Sequence, residues 1–426
     1  MDKLKWLYPG LQVKRWILLV IVGLFLVSSG LAVVTGIHGG LLFEEVLARV
    51  TFYLSGGYSY AARIISGIFI ILWGLLLSFW ALSSIEKNLS RKVLSDEKLV
   101  DVLYKESHLK KGPCIVSLGG GTGLSNLLRG LKEYSSNITA VVTVADDGGS
   151  SGKLREEMGI LPPGDIRSCL IALADREPLM QKLLQYRFST EGDLAGHSFG
   201  NLFIASMNEV VGGSFEEAVS AASKVLAVRG QVLPATNKNI QLGAVYEDET
   251  ILIGESKIPD RNKDIKKVFL KPHSCQPTAA TLHAISEADI ITIGPGSLYT
   301  SILPNLMVEN IAAAVRKSRA LKIYICNVMT QPGETDDFTV GDHIRVLYQH
   351  VGDNLFDYVL VNTQKGAPEL RKRYQEEGAF PVQLEKNVEQ KYNLNILQGA
   401  LLSEDNFMRH DPQKTAARII ELLEEN

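Results

Sequence analysis

Hydrophobic and polar positions divide this chain unevenly. Residues 16–37 and 64–85 are two runs of 22 residues without a charge. As helices each would span roughly 33 Å, enough for a hydrocarbon core of about 30 Å. The first is too long, and too closely followed by the second, for a simple signal peptide, and no cleavage site is obvious. The expectation is a transmembrane helical hairpin in residues 1–85. Lys3, Lys5, Lys14 and Arg15 precede the first run, and Lys87, Arg91, Lys92 and Lys98 follow the second. The segment between them has only Arg49 and Arg63 as basic residues. Basic flanks mark the inner side of a membrane, so a multi-pass protein of the cell membrane with both termini in the cytoplasm is predicted. The intervening LLFEEVLARVTFYL would lie as an amphipathic helix on the outer interface. Trp6, Tyr8, Trp16, Trp73 and Trp80 suit interfacial or lipid-facing positions. Residues 86–112 are charged and loosely periodic, and predict a juxtamembrane helix and linker.

From about residue 113 the pattern changes. Short apolar runs begin near Cys114, Ile138, Ile240, Thr250, Val268, Ile290, Ile323 and Tyr358. Helical spacing appears between most of them, at 166–174, 179–186, 201–211, 215–225, 279–286, 342–350, 368–376 and 414–424. Such alternation predicts a parallel sheet in one large α/β domain, residues 113–426. Residues 231–270 instead alternate short strands with turns, as an antiparallel insertion would. No repeat is visible.

Candidate chemistry gathers where strands end. PCIVSLGGGTGLSNLLRGLK runs from a strand through five small residues into a helix. Glycines there let a backbone approach a ligand, and a helix N-terminus favours phosphate. Gly120, Gly121, Thr122 and Gly123 are the candidate contacts. A Walker A lysine is missing, and the dinucleotide spacing fails at its last glycine. Asp146, ending the next strand, would suit a ribose, which keeps a nicotinamide cofactor open. Asp146, Asp147 and Asp165 would hold Mg²⁺ with phosphate oxygens, or one would take a proton from an attacking hydroxyl. Equally, Asp147 would cap a turn and Asp165 would cap the helix from Ile166. Ser150 and Ser151 follow in a polar loop that also carries the basic pair Lys153 and Arg155. GHSFGN supplies His197, Ser198 and Asn201 at another helix start, with no G-x-S-x-G elbow. IGPGSLYTS supplies Gly294, Gly296, Ser297 and Tyr299, and ICNVMTQPGET supplies Asn327. Together these strand ends predict one long cleft for an extended, phosphorylated ligand. Tyr374 would stack on a base, and Arg409 would pair with a diphosphate.

Charge and cysteines narrow the field. A net charge of −3 over 426 residues gives no whole-chain argument for nucleic acid. Four dispersed cysteines without C-x-x-C read as reduced thiols rather than disulfides or zinc ligands.

GGGTGLSNLLRGLK, TVADDGGSSGKLREEMGILPPGDIR, GHSFGNL, KVLAVRGQVLPAT, IGPGSLYTSILPNL and YICNVMTQPGETDDFT resemble the CofD-like superfamily, and closely its gluconeogenesis-factor branch. The resemblance covers nearly all of residues 113–426. It implies a Rossmann-like three-layer α/β/α fold. It implies binding of UDP-sugars, notably UDP-N-acetylglucosamine, and support of cell shape and wall synthesis on gluconeogenic carbon sources. The CofD branch instead transfers phospholactate to a deazaflavin precursor, with Mg²⁺ on the aspartate after its second strand, here Asp146 or Asp147. Cytosolic relatives lack the two N-terminal spans, which points to a membrane-tethered regulator. The sequence-based expectation is therefore a UDP-sugar sensor that needs no cofactor and acts through a cell-wall or metabolic protein partner. A Mg²⁺-dependent transferase is the alternative, and a homo-oligomer stays open.

Overall fold

The computed structural model describes residues 14–35, 60–92, 108–174, 177–189, 191–260, 264–403 and 407–425. The predicted amphipathic helix of residues 41–54 and most of the predicted linker lie outside these residues, as do Trp6 and Tyr8. The chain forms two compact units, residues 1–107 and 108–426.

In the first unit α1 (Lys14–Thr35) and α2 (Tyr60–Lys92) pack against each other. Both contain a span long and apolar enough to cross a membrane, Arg15–Thr35 and Ile64–Ser84, and only 17% of either span's apolar window is buried. Their outer faces carry Leu18, Phe25, Phe69, Leu76 and Phe79, all exposed. Two glycine pairs make the seam. A Cβ on Gly23 would lie 2.8 Å from the Gly74 carbonyl oxygen, and one on Gly30 would lie 2.8 Å from that of Gly67. Side chains are absent because the backbones touch there, the usual basis of helix association in lipid. Trp16 and Trp80 meet edge to face at 5.0 Å.

The second unit is built on a seven-stranded parallel sheet. Its strands are β1 (Ile115–Gly119), β2 (Ile138–Val142), β3 (Gln231–Pro234), β7 (Ile290–Ile293), β8 (Leu321–Ile325), β9 (Tyr358–Asn362) and β10 (Asn395–Gly399). The order is β10-β9-β8-β7-β1-β2-β3. β4 (Gln241–Tyr246), β5 (Ile251–Ile253) and β6 (Ile265–Lys271) form a small antiparallel sheet in the order β5-β4-β6. The central strands β1, β2 and β7 are buried at every position, so they read as continuous apolar runs rather than alternating ones. Two helix groups cover the sheet. α3 (Gly121–Leu131) packs on α5 (Gly164–Leu173) and on the C-terminal helix (Pro412–Glu425); α9 (Ala279–Glu287) packs on α11 (Ile311–Lys317).

Connections leave β1 in opposite directions, towards β2 and β3 on one side and β7 on the other. Open sheets bind ligands at such a switch point, outside the carboxyl ends of the strands. Here that crevice is lined by the loops after β1 and β7.

Three elements differ from the sequence-based expectation. β3 belongs to the main sheet, pairing with β2, and not to the antiparallel insertion. β10 adds an edge strand. The stretch after Asp147, read as a polar loop, folds as α4 (Gly149–Met158). Its buried positions are Ser150, Ser151, Gly152, Leu154 and Arg155, so it has almost no apolar stripe to reveal it. All four cysteines are free, as expected.

Candidate functional site

The glycines after β1 divide into one kind that packs and one kind that opens. Gly120 is extended, and a Cβ there would lie 2.5 Å from Asp165 Oδ2. A Cβ on Gly123 would lie 2.6 Å from the Pro295 carbonyl oxygen, in the loop after β7. These two lock the β1 and β7 loops together. Gly121 is different. Its φ is +60, and a Cβ would face space, with Ser301 Oγ at 4.0 Å as its only neighbour. The left-handed turn starts α3, and the Gly121 N–H donates to Asp165. The amides of Thr122 and Gly123 follow in the first turn, where no intrahelical carbonyl reaches them.

These residues form one end of a cavity of roughly 630 Å³. Of the predicted contacts, Gly120, Gly121, Thr122, Gly123, Gly296, Ser297, Asn327, Tyr374 and Arg409 line it. Part of its wall is apolar: Val328, Met329, Ala379 and Met408 form a buried cluster with Tyr374 packed on it. The Tyr374 hydroxyl accepts the Met408 N–H at 3.3 Å. Arg409 is exposed, its guanidinium 5.1 Å from the Phe407 ring.

His410, next to Arg409 in the same segment, also lines the cavity. Its Nε2 is 3.0 Å from the Cys326 carbonyl oxygen, which can only accept, so that nitrogen carries the proton. Burial pushes its pKa down to about 4, so the ring is neutral. Its backbone carbonyl accepts the Asn126 amide, which ties α3 to the C-terminal segment.

The aspartates serve as braces. Asp146 Oδ1 accepts the Gly148 N–H at 2.9 Å and closes its own turn. Asp147 Oδ1 accepts the Ser256 N–H at 2.8 Å and so holds the antiparallel insertion. The turn cap is therefore Asp146, not Asp147. Asp165 is likewise not a helix cap: the N-cap is Pro163, and Asp165 stands in the first turn of α5. Burial, with Asp146 nearby, pushes its pKa up to about 6, against the pull of the Gly121 N–H. Glu255, from the insertion, joins them. Burial, then the charges of Asp146, Asp165, Asp147 and Glu334, push it up to about 8. Positive charge comes from below. Arg155 is buried and donates to the carbonyl oxygens of Ile240 at 2.5 Å and Ala145 at 3.5 Å. Lys153 beside it is exposed. Among the described residues no group of three or more His, Cys, Asp or Glu side chains is placed to hold a metal. Asp146 and Asp147 each commit Oδ1 to a backbone amide and keep their second carboxylate oxygen.

Other predicted residues lie off the cavity. Ser150, Ser151, His197, Ser198 and Asn201 are all buried in one hydrogen-bonded network. Ser150 Oγ is 3.1 Å from His197 Nδ1 and accepts the Asn201 amide at 3.1 Å. Ser198 caps α7 (Phe199–Val211), and with Asn201 it accepts from Arg167, at 2.6 and 2.9 Å. Arg167 links this network to the helix of Asp165. Ser198 thus caps a helix and has no histidine base. Tyr299 is 1% exposed and packs at 6.4 Å from Phe338, in the core rather than at the sheet edge. Gly294 is left-handed at φ +81 and packs under Ile302.

The family model described as 2-phospho-L-lactate transferase CofD matches residues 115–402. The gluconeogenesis factor of Bacillus subtilis is 50% identical over 314 residues, covering 74% of this chain and 99% of that protein. A putative gluconeogenesis factor of Nostoc sp. is 47% identical over 417 residues, 97% of this chain and 91% of the relative, so the similarity there reaches into the N-terminal unit. A crystal structure of a UPF0052 family member from Bacillus halodurans superposes with a TM-score of 0.70 at 47% identity, covering 73% of this chain and 99% of that one. With a loop-lined switch-point cavity, a CofD match through the whole sheet and identity near one half, the chain belongs to the gluconeogenesis factor family, which is CofD-like.

Proposed function

We propose that this protein is a membrane-tethered regulator that binds a UDP-sugar, UDP-N-acetylglucosamine above all, through residues 108–426. The observation that carries this reading is the mixed lining of the cavity. It offers first-turn amides of α3, suited to a diphosphate. It also offers Val328, Met329, Met408 and Tyr374 with exposed Arg409, suited to a flat base. Its volume lies within the usual range for ligand sites, about 300–1,000 Å³. The name gluconeogenesis factor on its relatives supports a role in cells growing on gluconeogenic carbon, where cell shape and wall synthesis need such control. α1 and α2 would anchor the domain to the cell membrane with both termini inside.

A transferase reading has its own support in the CofD match and in Asp146 and Asp165 beside the glycine loop. Binding is favoured because Asp146 and Asp147 already brace two loops. The two readings separate on Asp146→Asn. Asparagine keeps an Oδ1 for the Gly148 amide, so the turn survives. For a sensor, UDP-N-acetylglucosamine is recovered intact after incubation with parent protein, Mg²⁺ and candidate acceptors, and the variant only retunes affinity. Carboxylates that act on a transition state affect turnover far more than affinity. Repeated release of nucleotide by the parent, lost in the variant, would establish the transferase instead.

The anchor makes a separate prediction. A reporter fused after Asn426 is expected to work only in the cytoplasm, and the intact chain is expected to need detergent for extraction. Activity of the reporter outside the cytoplasm, or a soluble intact chain, would remove the hairpin from the proposal.

A further inference from the structure

We infer that Glu334 is a specificity-determining residue whose carboxylate accepts hydrogen bonds from the neutral, hydroxyl-bearing end of the ligand and turns away anionic sugars. The inference deepens the nucleotide-sugar reading above and rests on it.

Glu334 is 7% exposed, lies shortly after β8 and lines the cavity. It is fixed from behind. The Ser297 hydroxyl donates to Oε2, the Thr300 hydroxyl donates to Ser297 Oγ at 2.7 Å, and the Tyr299 backbone amide donates to the carboxylate. Both ends of this relay sit on the loop after β7, whose backbone is locked to the glycine loop by Gly123 against Pro295. The carboxylate therefore cannot swing out of the cavity without breaking a buried chain of hydrogen bonds. An ionised carboxylate only accepts, so its partner in a ligand must be a donor. Hydroxyls and amides qualify; phosphates and carboxylates do not, and they would be repelled at close range in a site of low polarity. Burial raises its pKa, and nearby Glu255 feels its charge.

Each part of the ligand then has one place. The first-turn amides of Thr122 and Gly123 suit the diphosphate. The base belongs on the Met408 and Tyr374 wall. What remains beside Glu334 is the sugar, and it must be neutral there, as a hexose or an N-acetylhexosamine is and a uronic acid is not.

The test uses the full chain in detergent and three probes, UDP, UDP-N-acetylglucosamine and UDP-glucuronate, with affinities from calorimetry. The parent is expected to bind UDP-N-acetylglucosamine more tightly than UDP, and UDP-glucuronate about tenfold more weakly than UDP-N-acetylglucosamine. Glu334→Gln is expected to lose about tenfold for UDP-N-acetylglucosamine, to bind UDP as before and to discriminate less against UDP-glucuronate. An equal loss for UDP and the sugar nucleotide would mean that Glu334 only shapes the loop, and no loss for either would mean that it touches nothing; both overturn the assignment. Equal binding of the neutral and uronic sugars by the parent overturns it without any variant, even if Glu334→Gln fails to fold. A parent that binds UDP but none of the sugars overturns the assignment and leaves a nucleotide site; one that binds none of the three overturns the nucleotide-sugar reading itself.

Discussion

Gly121→Val is expected to abolish the proposed nucleotide-sugar binding, by at least about 100-fold in affinity, while the domain stays folded. The left-handed φ of +60 is costly for valine, about 1–2 kcal/mol, because the Cβ crowds the carbonyl. Part of that cost is relieved by rotating the peptide, which re-aims the Thr122 and Gly123 amides. The two added methyls also occupy the open space in front of the loop, where only Ser301 Oγ stands at 4.0 Å. No core contact is lost, so the midpoint of unfolding by circular dichroism should fall by only a few degrees. Gly123→Val is the control. Its Cβ would meet backbone atoms of Pro295 and Gly296 at 2.6–3.0 Å, and backbone cannot step aside cheaply. That variant is expected to lose its fold. If Gly121→Val binds as tightly as the parent, the loop is a packing device and the phosphate lies elsewhere.

The second large effect is on pH dependence. Glu255 titrates near 8 in the folded domain and at its ordinary 4.5 when unfolded. Between these values the folded state holds a proton that the unfolded state has released, so stability falls as pH rises through the window and levels off above about 8. Asp165 adds to the slope in the same direction, from 3.8 up to about 6. Glu255→Gln cannot ionise. It should remove most of the loss between pH 5 and pH 8, on the order of 2–4 kcal/mol, and be the more stable protein at pH 8. Denaturant midpoints followed by far-ultraviolet circular dichroism at the two pH values measure this. Parallel curves for parent and variant would show that Glu255 is as well solvated folded as unfolded.

The parts of this molecule that were legible in the sequence share a cause. β1, the glycine turn, α3 and β2 are contiguous, and each is buried by the same local pattern. The strand ends that line the cavity carry Gly, Ser and Asn in place of apolar residues, and that contrast is visible one residue at a time. β3 was absorbed into the insertion because four residues, QVLP, carry too little pattern to assign a partner. α4 was hidden because its buried face is polar: Ser150 and Ser151 pair with His197 and Asn201, and Arg155 donates to backbone carbonyls. Glu255 and Glu334 were invisible for a different reason. They lie far along the chain from the glycine loop, and nothing local marks them. Only the tertiary fold brings them to it. The same fold sent Tyr299 into the core, since its neighbours Leu298, Ile302 and Leu303 needed burial and took it with them.

The glycine seam of the hairpin has a calorimetric consequence. Residues 108–426 are held largely by apolar burial, so their unfolding carries a large positive heat-capacity change and is sensitive to urea. The seam of Gly23, Gly30, Gly67 and Gly74 is backbone laid on backbone rather than side chain packed on side chain. Two units held by different forces have no reason to melt together, and a single melting temperature is not a property of this chain. The sequence supplies a reporter for each. All four tryptophans, at positions 6, 16, 73 and 80, lie in the first unit. Tryptophan emission therefore follows the hairpin, while most of the circular dichroism follows the sheet domain, and the two traces should part company as denaturant rises.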